Sequence, residues 1–431
     1  SQSFPFFSSA IMVPYKDIIT VFLCGVFSLE NYLRFRQYKK YLIKEIPNQL
    51  KDVLTQEKFD KAQEYGKVSS EFSFITGIVN FMHNMLLLHL GALPFLWNYT
   101  AEIMHNHGYS DDYEIVHAVL FTAFASAYSI VTGLPFDIYH TFVIEERFGF
   151  NKQTWKIYVM DQIKGLFLQA VIGIPVLCVI LKLIQWGGEN FWIYLWAFVT
   201  VFAFIMVTIY PTVIAPLFNK YTELPKGELR DAIELLAAKQ HFPLTKLFVV
   251  DGSTRSAHSN AYLYGFFNNK RIVLYDTLMQ QVDTEGIVAI LAHEIGHWKN
   301  SHTVYNLIIA EAYYGVFFFV FGQTISNVDM YRSFGFNTQP IFIGLVLFSF
   351  MYEPVGHVFS FFMNWLSRTF EYQADEYATS LGYSLIQPLK KIHTENLSRP
   401  ISDEWYSAYS DSHPTLLERI NAIEASQSKR R

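Results

Sequence analysis

Apolar residues along this chain gather into seven blocks, at roughly 11–33, 72–97, 115–135, 166–184, 191–214, 304–326 and 340–366. Each is close to the ~20 residues that a helix needs to cross a bilayer. The polar stretches between them alternate in basic content. Residues 34–71 carry nine Lys or Arg, 98–114 none, 136–165 four, 185–190 none, and 327–339 only Arg332. Basic loops favour the cytosolic side. Seven crossings therefore put the N-terminus in the lumen and the C-terminus, which ends Lys429-Arg430-Arg431, in the cytosol.

The long polar stretch after the fifth block changes period. Leu229, Ile233, Leu236 and Ala237 lie on one face of a helix expected over 228–239. Two β-type runs, Lys246-Leu-Phe-Val-Val250 and Arg271-Ile-Val-Leu-Tyr275, are bounded by turn residues. Asp283-Thr284-Glu285 is a start signal for a further helix, with acid at the positive end of its dipole. Helical spacing returns at 368–383 and 412–426. The expected fold is a mostly α integral membrane protein with seven transmembrane helices and a cytosolic α/β part. Residues 1–218 would hold five helices with basic loops 34–71 and 136–165. A cytosolic segment would cover 219–303, two more helices 304–366, and a cytosolic C-terminal segment 367–431.

Composition agrees with a membrane protein. Of 431 residues, 17% are aromatic and 16% charged, the latter well below the ~25% of soluble domains. A net charge of -5 without a basic stripe speaks against a nucleic-acid partner. Cys24 and Cys178 both sit in apolar blocks and offer neither a disulfide framework nor a cysteine zinc site. The N-terminus lacks the basic region of a cleaved signal peptide. Asn98-Tyr99-Thr100 is a glycosylation sequon that abuts the membrane on the lumenal side and is expected to go unused. His83, His89, His117, Glu311, Glu353 and His357 fall within spans, where charge is costly, and are expected to face a hydrated interior.

The candidate chemistry begins at His293-Glu-Ile-Gly-His297, the only H-E-x-x-H in the chain. Histidines four apart on a helix present their nitrogens to one metal ion, and Glu294 beside them is placed to take a proton from a bound water. A catalytic zinc site needs a third protein ligand. His302, five residues past His297, falls off the ligand face. Glu311 is near the spacing of soluble zinc peptidases, yet an unbroken helix would hold it ~21 Å from His297. Glu371 is better placed, because two membrane crossings return the chain to the same face. Asp375, one turn on, is then in position to accept a hydrogen bond from a ligand histidine.

With His293-Glu-Ile-Gly-His297, Glu371-Tyr-Gln-Ala-Asp375, Arg255-Ser-Ala-His258-Ser-Asn260-Ala-Tyr262, Ser412-His413-Pro414 and Phe142-Val-Ile-Glu-Glu-Arg-Phe-Gly-Phe-Asn151, the chain resembles the integral-membrane CaaX prenyl proteases. These are zinc endopeptidases that remove the aaX residues of isoprenylated proteins and mature farnesylated pheromone and prelamin A. The resemblance covers nearly everything from about residue 30. It implies a chambered barrel of seven helices with a gluzincin-like metallopeptidase part at its cytosolic end. It also implies one Zn2+ held by His293, His297 and Glu371, with Glu294 as general base. Asn260, Ala261 and Tyr262 would form an exposed strand on which an extended substrate pairs. His413 would stabilise the oxyanion, with Arg419 near it. The substrate would be a prenylated CaaX protein or peptide, with a second, upstream cut, and the address the endoplasmic reticulum membrane with the inner nuclear membrane as a second. The chain departs from some relatives in its short 276–286 connection and in Ala257 and Leu263.

Two other readings compete. One is a membrane quality-control zinc protease that ignores prenylation. The other is a seven-span transporter or receptor with structural zinc, against which only three ligands and an adjacent base stand.

Overall fold

A computed structural model describes residues 13–265 and 269–430. The start of the first apolar block and Arg431 lie outside the described residues. Helix α1 spans Tyr15–Tyr41, α2 Gln56–His89, α3 Ala92–Asn106 and α4 Glu114–Tyr139. They are followed by α5 at Trp155–Trp186 and α6 at Phe191–Ile209. The six apolar helical stretches, together with the bent pair α2–α3, make up to seven crossings.

Three expectations need correction. The second block is not one straight span: the chain turns 64° between α2 and α3, at Gly91, whose φ of +67° a side chain would resist. The 98–114 stretch is helical to Asn106, so the Asn98 sequon lies within a helix rather than in a loop. Helices also run well past the hydrocarbon-length blocks, because hydropathy marks the bilayer and not the end of the hydrogen-bond ladder. α4 continues through a π-helical turn at His140–Glu145 and stops at Gly149, φ +84°.

The part that follows α6 is a four-stranded sheet backed by helices. Its strands are β1 Tyr221–Glu223, β2 Leu244–Val250, β3 Ala261–Tyr264 and β4 Lys270–Tyr275. They lie in the order β1-β2-β4-β3, with only the β2–β4 pair parallel. β3 is therefore an edge strand. Between them, α7 occupies Glu228–Lys239, as its spacing predicts, and buries Ile233, Leu236 and Ala237.

Helix α8, Thr284–Lys299, carries the two histidines. Asp283 caps it, accepting from the Gly286 amide at 2.9 Å. Its apolar face, with Ile287, Leu291 and Ile295, joins Leu247, Ala261, Ile272 and Leu274 of the sheet in one core. Each fully buried Leu or Ile contributes roughly 1.5–3 kcal/mol.

α9 follows at His302–Thr324 and α10 at Ile341–Ser380. The 40-residue α10 joins what hydropathy divides into a seventh span and a helix over 368–383. Expected breaks at 366 and 368 do not interrupt it. α11, Ile386–Glu395, a short helix at Glu404–Ser410 and α12, Leu416–Arg430, complete the chain. The first two were not expected from the sequence.

Of the six ionisable residues within spans, His117 departs from the expected hydrated setting. It is buried, stacked on Trp97 with ring centres 3.6 Å apart, and bonded to Thr100 and the Trp97 carbonyl. Helix packing satisfies its Nε2 without water. The other five keep partial or full exposure.

Candidate metal centre and active site

Two helices make the centre. α8 brings His293 and His297 one turn apart, and α10 brings Glu371 and Asp375 one turn apart. Gly296 lets the helices approach: a Cβ there would lie 3.1 Å from the Ala374 Cα and 3.2 Å from its carbonyl oxygen. His293, Glu371 and Asp375 are buried.

The His293 and His297 Nε2 atoms lie 3.2 Å apart. Glu371 carboxylate oxygens stand 3.3 Å from His297 Nε2 and 3.5 Å from His293 Nε2. Zinc bonded at roughly 2.0–2.2 Å in tetrahedral geometry would separate its ligand atoms by about 3.3–3.6 Å. The three residues fit that geometry, and among the described residues theirs is the one such group.

The tautomers fit as well. His293 Nδ1 donates to Asp375 Oδ1 at 2.8 Å. On the other side His302 Nε2 donates to Gln373 Oε1 at 2.8 Å, which leaves His302 Nδ1 an acceptor for His297 Nδ1–H at 3.0 Å. The hydrogen-bond network thus assigns both protons to Nδ1. Two bare Nε2 lone pairs then face each other beside a carboxylate, a repulsive arrangement that a cation relieves.

His302 does not follow the helix geometry assumed for it. α8 ends at Lys299 with Asn300 as its C-cap, and Ser301 takes the left-handed conformation, φ +59°. α9 begins again at His302, which turns back onto His297 and stacks on Phe370, centroids 4.0 Å apart. The same break does not bring Glu311 to the centre. Glu311 instead accepts hydrogen bonds from Trp196 Nε1 at 3.1 Å and from Thr200 Oγ1.

Glu294 lines a cavity of about 180 Å³ together with Asn260, Ala261, His293, Glu371 and His413. Burial pushes its carboxyl above the usual range, against the lowering influence of the two histidines. His413 is exposed and places Nδ1 3.1 Å from Glu371 Oε1, a contact that raises its pKa and favours the imidazolium. Arg419 grips Asp375 with two hydrogen bonds of 2.8 and 2.6 Å and lies 3.5 Å from Glu371 Oε2. It also lines the cavity that Glu294 and His413 share, so it both holds Asp375 and borders the reaction space.

The segment before β3 is tied to the membrane helices. Glu145, in the π-helical turn, accepts from Tyr65 Oη at 2.7 Å and faces His258 Nε2 at 3.3 Å. His258 stacks on Phe150, with centroids 4.0 Å apart, and the Ala257 amide donates to the Phe150 carbonyl. Asn396 accepts from the Ser259 amide at 3.2 Å. This web holds Asn260 and Ala261 at the cleft, while the Tyr262 side chain turns to the other face of the sheet.

Residues 37–220 match the family description "CAAX prenyl protease N-terminal, five membrane helices", and residues 223–427 match peptidase family M48. A rice protein described as CAAX prenyl protease 1 homolog is 45% identical over 421 residues, spanning 97% of this chain and 99% of that one. This chain belongs to the CAAX prenyl proteases of peptidase family M48. The human CAAX prenyl protease 1 homolog is 38% identical, over 94% of both chains. The crystal structure of S. mikatae Ste24p superposes with a TM-score of 0.90 at 38% identity, over 96% of this chain and 99% of that one. The chain is a multi-pass membrane metalloprotease.

Proposed function

We propose that this protein is a zinc endopeptidase that removes the C-terminal aaX residues of isoprenylated CaaX proteins at the cytosolic face of the endoplasmic reticulum membrane. The observation that carries this reading is the convergence of His293, His297 and Glu371 beside Glu294 and the edge strand β3. His293, His297 and Glu371 would hold one Zn2+, with Asp375 and Arg419 fixing the first histidine.

When bound, zinc supplies polarisation of the scissile carbonyl and a lowered pKa for the attacking water. Glu294 takes the proton of that water and delivers it to the departing amine nitrogen. β3 holds the peptide extended through main-chain hydrogen bonds that are indifferent to side-chain identity, with Asn260, Ala261 and Tyr262 along the paired stretch. The Nδ1 of His413 rests against Glu371, which leaves its Nε2 to donate to the oxyanion. One good donor there is worth ~3 kcal/mol.

The test is cleavage of one CaaX peptide in farnesylated and unprenylated forms, with and without a zinc chelator, products read by mass. Loss of three residues from the farnesylated form alone, abolished by chelation, is expected. Equal cleavage of both forms would favour the quality-control reading. Glu294→Ala is expected to keep zinc and fold while losing turnover, and Glu371→Ala to lose zinc after gel filtration.

A further inference from the structure

A cavity of about 670 Å³ lies on the opposite face of the sheet from α8, and nothing in the chemistry above uses it. β3 alternates across it. Ala261 and Leu263 pack into the core shared with α8, whereas Tyr262 and Tyr264 line the cavity, joined by Tyr275 of β4 and Tyr221 of β1. The far wall comes from the end of α6 and the turn after it: Val207, Tyr210 and Phe218. Its charged groups are already paired. Arg255 grips Asp161 with bonds of 2.8 and 3.1 Å, and the Tyr221 and Tyr262 hydroxyls meet at 3.1 Å. No buried polar side-chain atom without a partner, among the described residues, belongs to this cavity. It therefore offers apolar and aromatic surface and no free charge.

A larger cavity, about 960 Å³, lies between α7 and α11 but carries Glu228, Asp283, Glu285 and Lys391 and touches no residue of β3. The tyrosine cavity is the one continuous with the strand. A peptide that adds to the free edge of β3 must send alternate side chains to the two faces of the sheet. One face holds the metal ligands. The other leads to a space within the ~300–1,000 Å³ range of small-molecule sites, walled by rings and by the end of a membrane helix.

We propose that this cavity receives the isoprenoid chain on the substrate's modified cysteine. The proposal rests on the reading of the protein as a CaaX protease. A chain that starts in the bilayer would slide along Val207 and Tyr210 and come to lie against Tyr262 and Tyr264, while the peptide it is attached to pairs with β3. Selectivity for lipidated substrates then comes from the face of the strand turned away from the metal.

The experiment measures KM for one CaaX peptide carrying S-methyl, S-geranyl, S-farnesyl or S-geranylgeranyl cysteine. Wild type is compared with Val207→Trp, which narrows the cavity, and Tyr264→Ala, which opens it. Zinc content and gel filtration check that each variant is folded. In wild type the S-methyl to S-farnesyl KM ratio is expected to exceed tenfold. Val207→Trp should shrink that ratio by tenfold or more and penalise geranylgeranyl hardest. Tyr264→Ala should shrink it severalfold and shift the optimum toward the longer chain. A diazirine-bearing farnesyl peptide should label Tyr262 or Tyr264. If both folded variants keep the wild-type ratio, or if a diazirine phospholipid labels the cavity and the farnesyl peptide does not, the cavity is not the isoprenoid site. If wild type itself fails to separate S-methyl from S-farnesyl, the CaaX reading falls first, a distinct outcome.

Discussion

His297 and His302 face each other through their Nδ1 atoms at 3.0 Å, and His302 in turn is held by Gln373. The two metal-facing histidines thus have unlike supports: an ionised carboxylate behind His293, a neutral imidazole and amide behind His297. Outer partners of this kind typically carry a factor of ~10–100 in metal affinity. His302→Ala is expected to weaken zinc binding by that factor, measured by competition with a chromogenic chelator. His302→Gln should recover part of the loss, because its amide oxygen also accepts from His297 Nδ1. Cobalt substitution adds a readout independent of turnover: the visible bands should shift in His302→Ala.

Gly296 faces the backbone of Ala374 so closely that any side chain forces α8 and α10 apart. Because one ligand pair rides on α8 and Glu371 on α10, the cost appears at the metal before it appears in the fold. Gly296→Ala should lower thermal stability by the equivalent of ~1–3 kcal/mol and reduce zinc retention on gel filtration. Normal zinc content in that variant would show that the helices adjust without moving their ligands.

Glu145 acts at a distance from the metal, through Tyr65 and His258. Its removal should loosen the segment that leads into β3 without touching a ligand. Glu145→Ala is expected to raise the peptide KM several-fold, with zinc content unchanged and kcat little affected. A fall in kcat alone would contradict a role in holding the substrate strand.

His393, on α11, has an Nε2 out of reach of water and of any hydrogen-bond partner. Burial, aided by the nearby Arg399 charge, pushes its pKa down to about 4. The unfolded chain binds a proton there from about pH 6.5 downward, while the folded protein does not until about 4. Stability is therefore lost as pH falls through that window, up to roughly 3 kcal/mol. Melting in lipid nanodiscs from pH 7.5 to 4.5 should show a shallower acid-side decline for His393→Gln than for wild type.

Much of this was legible in the chain because bilayer thickness and metal geometry both write themselves as spacing. The H-E-x-x-H turn marked two candidate ligands, and counting crossings favoured Glu371, which the fold does bring beside them, over Glu311. The helix over 228–239 and the β-type runs at 246–250 and 271–275 lie where their periodicity puts them. What escaped depended on single backbone angles. Ser301 carries no mark of its left-handed turn, which restarts the helix and aims His302 back at His297. Gly91 sits in an apolar run and gave no sign of a 64° bend. The unbroken length of α10 escaped because hydropathy falls at the membrane surface while the helix does not.

That length has a mechanical consequence. At ~1.5 Å per residue the 40 residues of α10, with Pro354 among them, measure about 60 Å along the helix path, twice the ~30 Å of a hydrocarbon core. One end is anchored among lipids and the other carries Glu371 into contact with α8. A thinner or thicker bilayer that tilts this helix is therefore expected to shift Glu371 against His293 and His297, so that membrane thickness bears on the candidate metal centre.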